Sequence, residues 1–172
     1  VIGRDYRELD LSLTESNMIR CPDPESAERM IRKIGEAAAL RDTVGGVITC
    51  VVKGVPPGWG EPVFNKLHAD LGFAMLGINA VKGFDYGSGF GGTLMTGSQH
   101  NDIFVTGKGG VHTLTNHSGG IQGGISNGEE IYFRVAFKPI ATLLREQETI
   151  DRDHNPVKIL PGGRHDPCVL PR

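Results

Sequence analysis

The 172-residue sequence has few cysteines, few aromatic residues and no long apolar run. Its three cysteines, Cys21, Cys50 and Cys168, are odd in number and far apart, which argues against a disulfide framework or a zinc site and fits a reducing compartment. No apolar stretch approaches the roughly 18–20 residues of a membrane span, and we expect no signal peptide. We therefore expect a cytoplasmic protein with no membrane partner and no bound metal.

An excess of charge of one sign is also lacking. Eighteen Lys and Arg residues face twenty Asp and Glu residues, for a net charge of −2. A chain with this balance has no global electropositive field, so we expect no nucleic-acid partner. Any anion that binds here must be held by locally placed cations.

Glycine, by contrast, is abundant. The 25 glycines are about twice the number expected from an average usage of roughly 7%, and most lie between Gly83 and Gly128. The excess therefore reports a local feature rather than a fibrous chain. The total length favours a single domain over residues 1–172.

The two ends of the sequence suggest a piece of a longer protein. The chain starts at Val1 without an initiator methionine and stops at Arg172, directly after the polar run at 163–168. Functional motifs normally need rigid structure on both sides. We therefore expect that the sequence is a truncated part of a larger enzyme.

Local patterns predict a mixed α+β fold. Asp23-Pro24-Glu25 is typical of a helix start, with a capping Asp and a Pro at the first helical position. An apolar stripe predicts a second helix from about Pro62, with His68 as a histidine at the edge of the core rather than a ligand. Three segments are predicted to be strands, the first covered on both faces and the last alternating between buried and exposed side chains: 47–52, 78–86 and 131–137.

Two catalytic motifs match only by chance. Residues 87–92 fit the dinucleotide fingerprint G-x-G-x-x-G, but the following residues have no helical pattern on which to place a pyrophosphate. Residues 124–128 fit the hydrolase elbow G-x-S-x-G, which needs a strand before the serine and a helix after it. Here a loop precedes Ser126 and a strand follows it, so we reject the motif.

Three other segments are better candidates for a ligand site. Residues 116–126 are too rich in glycine for a helix, and they fit either a shaped loop with exposed amides or a flexible surface loop. Lys138 ends the best strand and offers a point charge for a phosphate, although the signal is weak alone. Arg164, His165 and Asp166 place a cation, an imidazole and a carboxylate in one turn, which favours a functional cluster over a structural network.

Taken together, these segments identify the chain as similar to chorismate synthase, a flavin-dependent enzyme of the shikimate pathway. They occur in family order across nearly all of the sequence. The matching segments are Cys21-Pro22-Asp23-Pro24-Glu25, Val44-Gly45-Gly46-Val47, Gly54-Val55-Pro56, Gly60-Glu61-Pro62-Val63-Phe64, Ile78-Asn79-Ala80-Val81-Lys82-Gly83, Gly119-Gly120-Ile121-Gln122-Gly123-Gly124-Ile125-Ser126, Lys138-Pro139 and Arg164-His165-Asp166-Pro167-Cys168.

The resemblance implies an α+β sandwich with helices packed between antiparallel sheets, assembled as a homotetramer. It also implies the conversion of 5-enolpyruvylshikimate 3-phosphate into chorismate and phosphate by anti-1,4 elimination, with reduced FMN as cofactor. Asp166 would be the catalytic carboxylate that handles the proton on N5 of the flavin. The flavin contacts would be Asn79, Ala80, Gly123, Lys138, Pro139, Ile140, Ala141, Thr142 and Arg164.

The sequence also departs from the family pattern. It lacks the two histidine segments and the Arg-Ser-Ser-Ala-Arg stretch of the family's N-terminal half, and the helix that follows the Arg-His-Asp-Pro motif. Gln99 stands where an acid is expected. We therefore expect a fragment that is inactive alone. A stand-alone flavin- or nucleotide-binding module and a structural interaction domain remain as alternatives.

Overall fold

The computed structural model describes residues 5–107 and 109–171. The chain divides into two compact units, one formed by Val1–Val47 with Phe137–Arg172 and the other by Ile48–Ala136. We refer to them as the terminal unit and the central unit. That residues 1–172 form one domain stays a prediction.

Helices and strands alternate from α1 to β3, and the elements after β3 are all strands. In chain order the elements are α1 (Pro24–Ala39), β1 (Gly46–Val52), α2 (Leu67–Leu76), β2 (Val81–Tyr86), α3 (Gly97–His100), β3 (Phe104–Gly107), β4 (Gly110–Thr113), β5 (Ile121–Gln122), β6 (Ile125–Ser126), β7 (Ile131–Phe137), β8 (Gln147–Ile150) and β9 (Pro156–Ile159), with 3₁₀ helices at Tyr6–Glu8, Leu11–Ser16 and Gly89–Leu94.

Helix α1 begins where the sequence predicts. Asp23 has extended backbone angles, and its carboxylate accepts a hydrogen bond from Ser26 N–H at 3.0 Å. Pro24 occupies the first helical position, where no backbone donor is needed. Ala27 and Ala37 are buried, so the small residues of the helix form its inner face.

Strand β7 is the centre of a three-stranded sheet with the order β1-β7-β2. Ile131, Phe133 and Val135 are each at most 5% exposed, and they alternate with more exposed neighbours as predicted. The other ladders, β3–β4, β5–β6 and β8–β9, are antiparallel pairs. Together with α1 and α2 they give the expected α+β composition.

Strand β1 differs from the prediction that both its faces are covered. It lies at an edge of the three-stranded sheet, and Val47 and Ile48 are 49% and 40% exposed. An apolar run shows which residues favour burial, but it does not supply the layer that would bury them.

The second helix starts later than predicted. Asn65 has a left-handed backbone with φ +58°, and Lys66 is extended, so helix α2 can only begin at Leu67. Phe64, which falls within the helix predicted from about Pro62, lies outside α2 and is 80% exposed. The apolar spacing was real, but the backbone at Asn65 interrupts the helix.

Within the described residues, none of the helices has both the length and the apolar character required to cross a membrane.

Glycine allows a close backbone contact at the start of β1. A Cβ built on Gly45 would clash with the carbonyl oxygen of Phe137 and lie 2.9 Å from the carbonyl carbon of Lys138. These neighbours are backbone atoms, so the contact cannot be relieved by turning a side chain. Gly45 therefore fixes how residues 43–46 approach residues 137–139.

We predict that Gly45→Ala lowers the free energy of unfolding by about 2 kcal/mol or more, because overpacking against backbone forces the chain to shift. The matched control is Gly35→Ala in helix α1, where an added Cβ meets nothing within 4 Å. There the alanine should stabilise by roughly 0.5–1 kcal/mol through helix propensity. Urea unfolding of both variants measures the change in the free energy of unfolding. Equal changes for Gly45→Ala and Gly35→Ala would contradict the close backbone contact at Gly45.

Candidate functional site

The Arg164–Asp166 turn lies in the terminal unit. Arg164 Nε is 3.3 Å from Asp166 Oδ2, and the arginine side chain is 69% exposed while the aspartate is 24% exposed. Both ring nitrogens of His165 are buried and have no hydrogen-bond partner among the described residues. The turn therefore presents a guanidinium outward and keeps the carboxylate and the imidazole partly covered.

Backbone contacts attach this turn to the start of β1. Val44 N–H donates to the carbonyl of Pro167 at 2.9 Å. A Cβ on Gly46 would lie 2.7 Å from Leu170 Cδ2, so the glycine makes room for that side chain. The Arg-His-Asp-Pro segment and the Val-Gly-Gly segment, remote in sequence, are thus neighbours in the fold.

The segment after β7 reaches the same place. The buried Thr43 donates its hydroxyl to the carbonyl of Ile140 at 2.7 Å. Ile140 is half-buried, and the other predicted contacts of this segment are exposed: Lys138, Pro139, Ala141 and Thr142. The terminal unit therefore contains seven of the ten predicted site residues, on two segments that both contact residues 43–46. Their proposed contacts with a ligand remain predictions.

The other three predicted residues lie in the central unit. Gly123 and Gly124 form a two-residue turn between β5 and β6, with φ values of +62° and +92°. Paired positive φ values are typical of a type I′ turn, which glycine favours. Gly123 is exposed and an added Cβ would meet nothing within 4 Å, so its backbone is open to an approaching ligand. The segment is a tight hairpin rather than a flexible loop.

Asn79 and Ala80 form the short connection between α2 and β2. Asn79 is exposed, while Ala80 is half-buried with φ +70°. A left-handed backbone is unfavourable for alanine, and such strain is found at binding sites more often than elsewhere.

Asp102 is a residue whose importance the sequence did not reveal. It is 5% exposed, and its carboxylate accepts hydrogen bonds from Thr115 Oγ1 at 2.7 Å and from His117 N–H at 2.8 Å. The backbone N–H and the hydroxyl of Ser118 donate to the other oxygen. Burial alone would raise the pKa of Asp102, but hydrogen bonds from Ser118, Thr115 and His117 outweigh burial and lower it to about 2.

Asn116, inside the turn that Asp102 holds, supports the glycine hairpin directly. Its Oδ1 accepts from Gly120 N–H at 2.7 Å, and its Nδ2 donates to the carbonyl of Glu130 at 2.8 Å. The hydroxyl of Tyr132 donates to the Asn116 carbonyl at 2.9 Å. The segment 115–118 is therefore fixed before the glycines begin, and the hairpin that carries Gly123 starts from a rigid base.

A sequence signal for this network was present in part. Asn116 lies three residues before the Gly119-Gly120 pair, and an asparagine in a turn is typical of a side chain that bonds to a nearby backbone group. The departure at Gln99 also has a local explanation. Gln99 Oε1 accepts from Thr96 N–H at 2.8 Å in a capping box, a position at which glutamine serves as well as glutamate.

The two rejected motifs lack catalytic geometry. The glycines at 87–92 run into the six-residue 3₁₀ helix Gly89–Leu94 rather than a long α-helix. Ser126 is buried in β6, where its hydroxyl accepts from Trp59 N–H and donates to the Pro56 carbonyl. These two hydrogen bonds of Ser126 attach the β5–β6 hairpin to the 56–60 loop. In the part of the chain that is described, no group of three His, Cys, Asp or Glu side chains is placed to hold a metal.

Comparison with known proteins identifies close relatives. A family model for chorismate synthase matches residues 2–172. The chorismate synthase of Parabacteroides distasonis is 60% identical over 171 residues, which is 99% of this chain and 48% of that protein. That of Cytophaga hutchinsonii is 60% identical over 169 residues, covering 98% of this chain and 47% of that protein.

A solved structure supports the fold as well. "Crystal Structure of Chorismate Synthase" matches with a TM-score of 0.71 and 35% sequence identity, over 76% of this chain and 40% of that chain. The similarity confirms the α+β fold class. The chain spans about half the length of the curated relatives that it matches.

We predict that Asp102→Asn lowers the free energy of unfolding at pH 7 by about 2 kcal/mol or more, because a charged acceptor of four hydrogen bonds is lost. The folded-state pKa of about 2 lies below the usual value near 3.9. The stabilisation is therefore complete above about pH 5 and is lost as the pH falls towards 2.

Urea unfolding at several pH values measures this effect. The gap between the native chain and Asp102→Asn should narrow between pH 5 and pH 2. The control is Asp153→Asn, on the exposed turn between β8 and β9, which should show no comparable gap. A gap for Asp102→Asn that stays constant with pH would contradict the role of the carboxylate.

Proposed function

Because the chain belongs to the chorismate synthase family, we propose that it supplies part of an enzyme that makes chorismate. The resemblance drawn from the sequence motifs is thereby confirmed. The proposed substrate is 5-enolpyruvylshikimate 3-phosphate, from which phosphate and a ring proton leave by anti-1,4 elimination. The proposed cofactor is reduced FMN, although the reaction causes no net redox change.

One observation carries the proposal. In the terminal unit, the two residues Thr43 and Val44 just before β1 hydrogen-bond to Ile140, after β7, and to Pro167, next to the Arg164–Asp166 turn. These hydrogen bonds bring a cation, a partly covered carboxylate and exposed backbone to the same segment. That arrangement suits a site that must position an anionic ligand and move one proton.

Cations in the site would stabilise the phosphate groups. An elimination that expels phosphate builds negative charge on the leaving oxygen, and a placed cation lowers the energy of that state. Arg164 and Lys138 are exposed and are the residues that we assign to phosphate contacts, either of the substrate or of the cofactor. A guanidinium can bind a phosphate with two parallel hydrogen bonds, whereas an ammonium acts as a point charge.

Asp166 is the residue that we assign to proton transfer. When bound, the reduced flavin would supply electron density and a proton-bearing N5 nitrogen. Asp166 would accept and return that proton, and Arg164, whose Nε lies 3.3 Å from Asp166 Oδ2, would help to position the carboxylate. We assign the segment 138–142 of the terminal unit to flavin contacts. We assign Asn79, Ala80 and Gly123 of the central unit to flavin contacts as well, each as a separate proposal.

The donor set fits an anionic flavin only in part. The terminal unit, taken by itself, offers the two cations and the carboxylate. The relatives carry about as much sequence again outside the matched region, and we propose that this part completes the site. We further propose that the complete enzyme is a homotetramer. We also propose that it is cytoplasmic, because its three cysteines here are free, as is usual in a reducing compartment.

A chimera tests the proposal. In the Parabacteroides distasonis enzyme, the matched region is replaced by this chain, and chorismate formation is measured with reduced FMN. We predict that the chimera is active and the 172-residue chain alone is not. In the chimera, Asp166→Asn should lower kcat by about 100-fold or more, the usual effect of losing an acid–base group.

The matched control is Asp153→Asn in the same chimera, which should leave kcat unchanged. Binding of reduced FMN to each variant shows whether the site is still assembled. Appreciable turnover by the chain alone would contradict the proposal that the active site needs residues from outside this chain. A folded chimera in which Asp166→Asn keeps full activity would leave Asp166 without a chemical role.

A further inference from the structure

Lys66 lies at the N-cap position of helix α2, where a lysine does not stabilise a helix. Its side chain makes no capping hydrogen bond. Ser, Thr, Asp and Asn are favoured at this position, because their oxygens accept from the free N–H groups of the first turn. A cation is also unfavourable at the positive end of the helix dipole. Helix stability therefore does not explain why a lysine precedes α2.

The aliphatic part of Lys66 packs on the turn between β5 and β6. A Cβ built on Gly124 would lie 2.6 Å from Lys66 Cγ and 3.0 Å from Lys66 Cδ, so the glycine makes room for the lysine stem. Lys66 is half-buried, whereas lysines are mostly exposed. A lysine in this state buries its methylene groups and keeps its ammonium in water. The ammonium, two bonds beyond Cδ, therefore lies close to the turn that contains Gly123.

Backbone contacts fix the position of Lys66 against this turn. The next residue, Leu67, donates its N–H to the carbonyl of Gly124 at 2.8 Å. A Cβ built on Gly60 would clash with the same carbonyl and would lie 3.0 Å from Leu67 Cβ, so the 56–60 loop approaches this point as well. The lysine and the turn are thus held together by main-chain atoms, which a substitution of the Lys66 side chain leaves in place.

The ammonium of Lys66 has no ion-pair partner in the part of the chain that the structure describes. Glu61 and Asp70 are the acidic residues nearest to it in the sequence, and neither pairs with it. An unpaired lysine is ordinary on a protein surface. This one, however, stands beside Gly123, whose exposed backbone is open to an approaching ligand. A cation next to an open main-chain turn offers two kinds of contact for an anion.

We propose that Lys66 binds an anionic group of the reduced FMN to which Gly123 is assigned as a contact. That ligand has two such groups: its phosphate, and its ring once the reduced form has lost a proton. An ammonium binds either one as a compact point charge. The unfavourable lysine at the start of α2 then has a cause, because residues that break a local rule are typical of functional sites. The inference rests on the proposed function and adds a cation from the central unit.

The test measures flavin affinity in the chimera of the Parabacteroides distasonis enzyme that carries this chain. Reduced FMN is titrated under anaerobic conditions into the chimera and its variants. Lys66→Met keeps an apolar stem on Gly124 and removes the charge, so we expect the affinity to fall about tenfold or more. Lys66→Arg keeps a cation and should weaken binding less. The matched control is Lys33→Met, at an exposed lysine of α1 near Glu36, which should leave the affinity unchanged.

Riboflavin and oxidised FMN identify the anionic group. A contact with the phosphate predicts that Lys66→Met weakens binding of both redox forms of FMN and leaves binding of riboflavin unchanged. A contact with the ring predicts weaker binding of reduced FMN and reduced riboflavin, with no change for the oxidised forms. Either pattern supports the proposal. An equal loss for all of these ligands, oxidised riboflavin included, would assign the effect to packing and overturn it.

Thermal unfolding without flavin separates binding from folding. Because Lys66→Met removes a cation from the start of a helix, the unfolding temperature should stay unchanged or rise. Two results would overturn this inference and leave the proposed function intact: unchanged affinity of Lys66→Met for reduced FMN, or equal losses in Lys66→Met and Lys66→Arg. An unaltered chimera that folds but does not bind reduced FMN would overturn the proposed function and this inference together.

Discussion

The candidate site depends on backbone segments that approach each other more closely than any side chain would allow. In the terminal unit, Gly45 lies against the carbonyl of Phe137 at the start of β1. In the central unit, Gly87 at the end of β2 lies against the backbone of His117 and Gly119. The glycine excess therefore has a packing cause at these positions, because a Cβ would separate the segments that carry the proposed ligand contacts.

Hydrogen bonds that two buried polar residues, Asp102 and Asn116, make with nearby groups hold the glycine hairpin in the central unit. Asp102 fixes the turn 115–118, and Asn116 extends that order to Gly120 and Glu130. Gly124 then accepts from Leu67 N–H at 2.8 Å, which satisfies one of the free donors at the start of α2. The exposed turn at Gly123 is thus held by hydrogen bonds on both sides. Its glycines therefore form a defined turn rather than a mobile loop.

Local chemistry allowed some elements to be predicted well. The Asp23-Pro24 cap and the alternation in β7 are decided by neighbouring residues, so the sequence alone predicts them. The start of α2 depended on the left-handed backbone at Asn65, and the exposure of β1 depended on which layers pack against it. Both are set by tertiary context, which periodicity does not record.

The site residues differ in the same way: those that are adjacent in the sequence could be predicted, and those brought together only by the fold could not. The Arg164–Asp166 turn was visible because three functional groups are adjacent in the sequence. The role of Asp102 was hidden because its partners are 13–16 residues away and two of their donors are backbone N–H groups. Family motifs located the remaining flavin contacts, and those assignments stay predictions until a ligand is bound.

The central claim is that this chain carries only part of a flavin site. Titration of reduced FMN, under anaerobic conditions, into the 172-residue chain and into the chimera tests it most directly. We predict stoichiometric, saturable binding by the chimera and at least 100-fold weaker binding by the chain alone, because the contacts are divided. Tight one-to-one binding by the chain alone would contradict the account and identify a self-sufficient flavin-binding module.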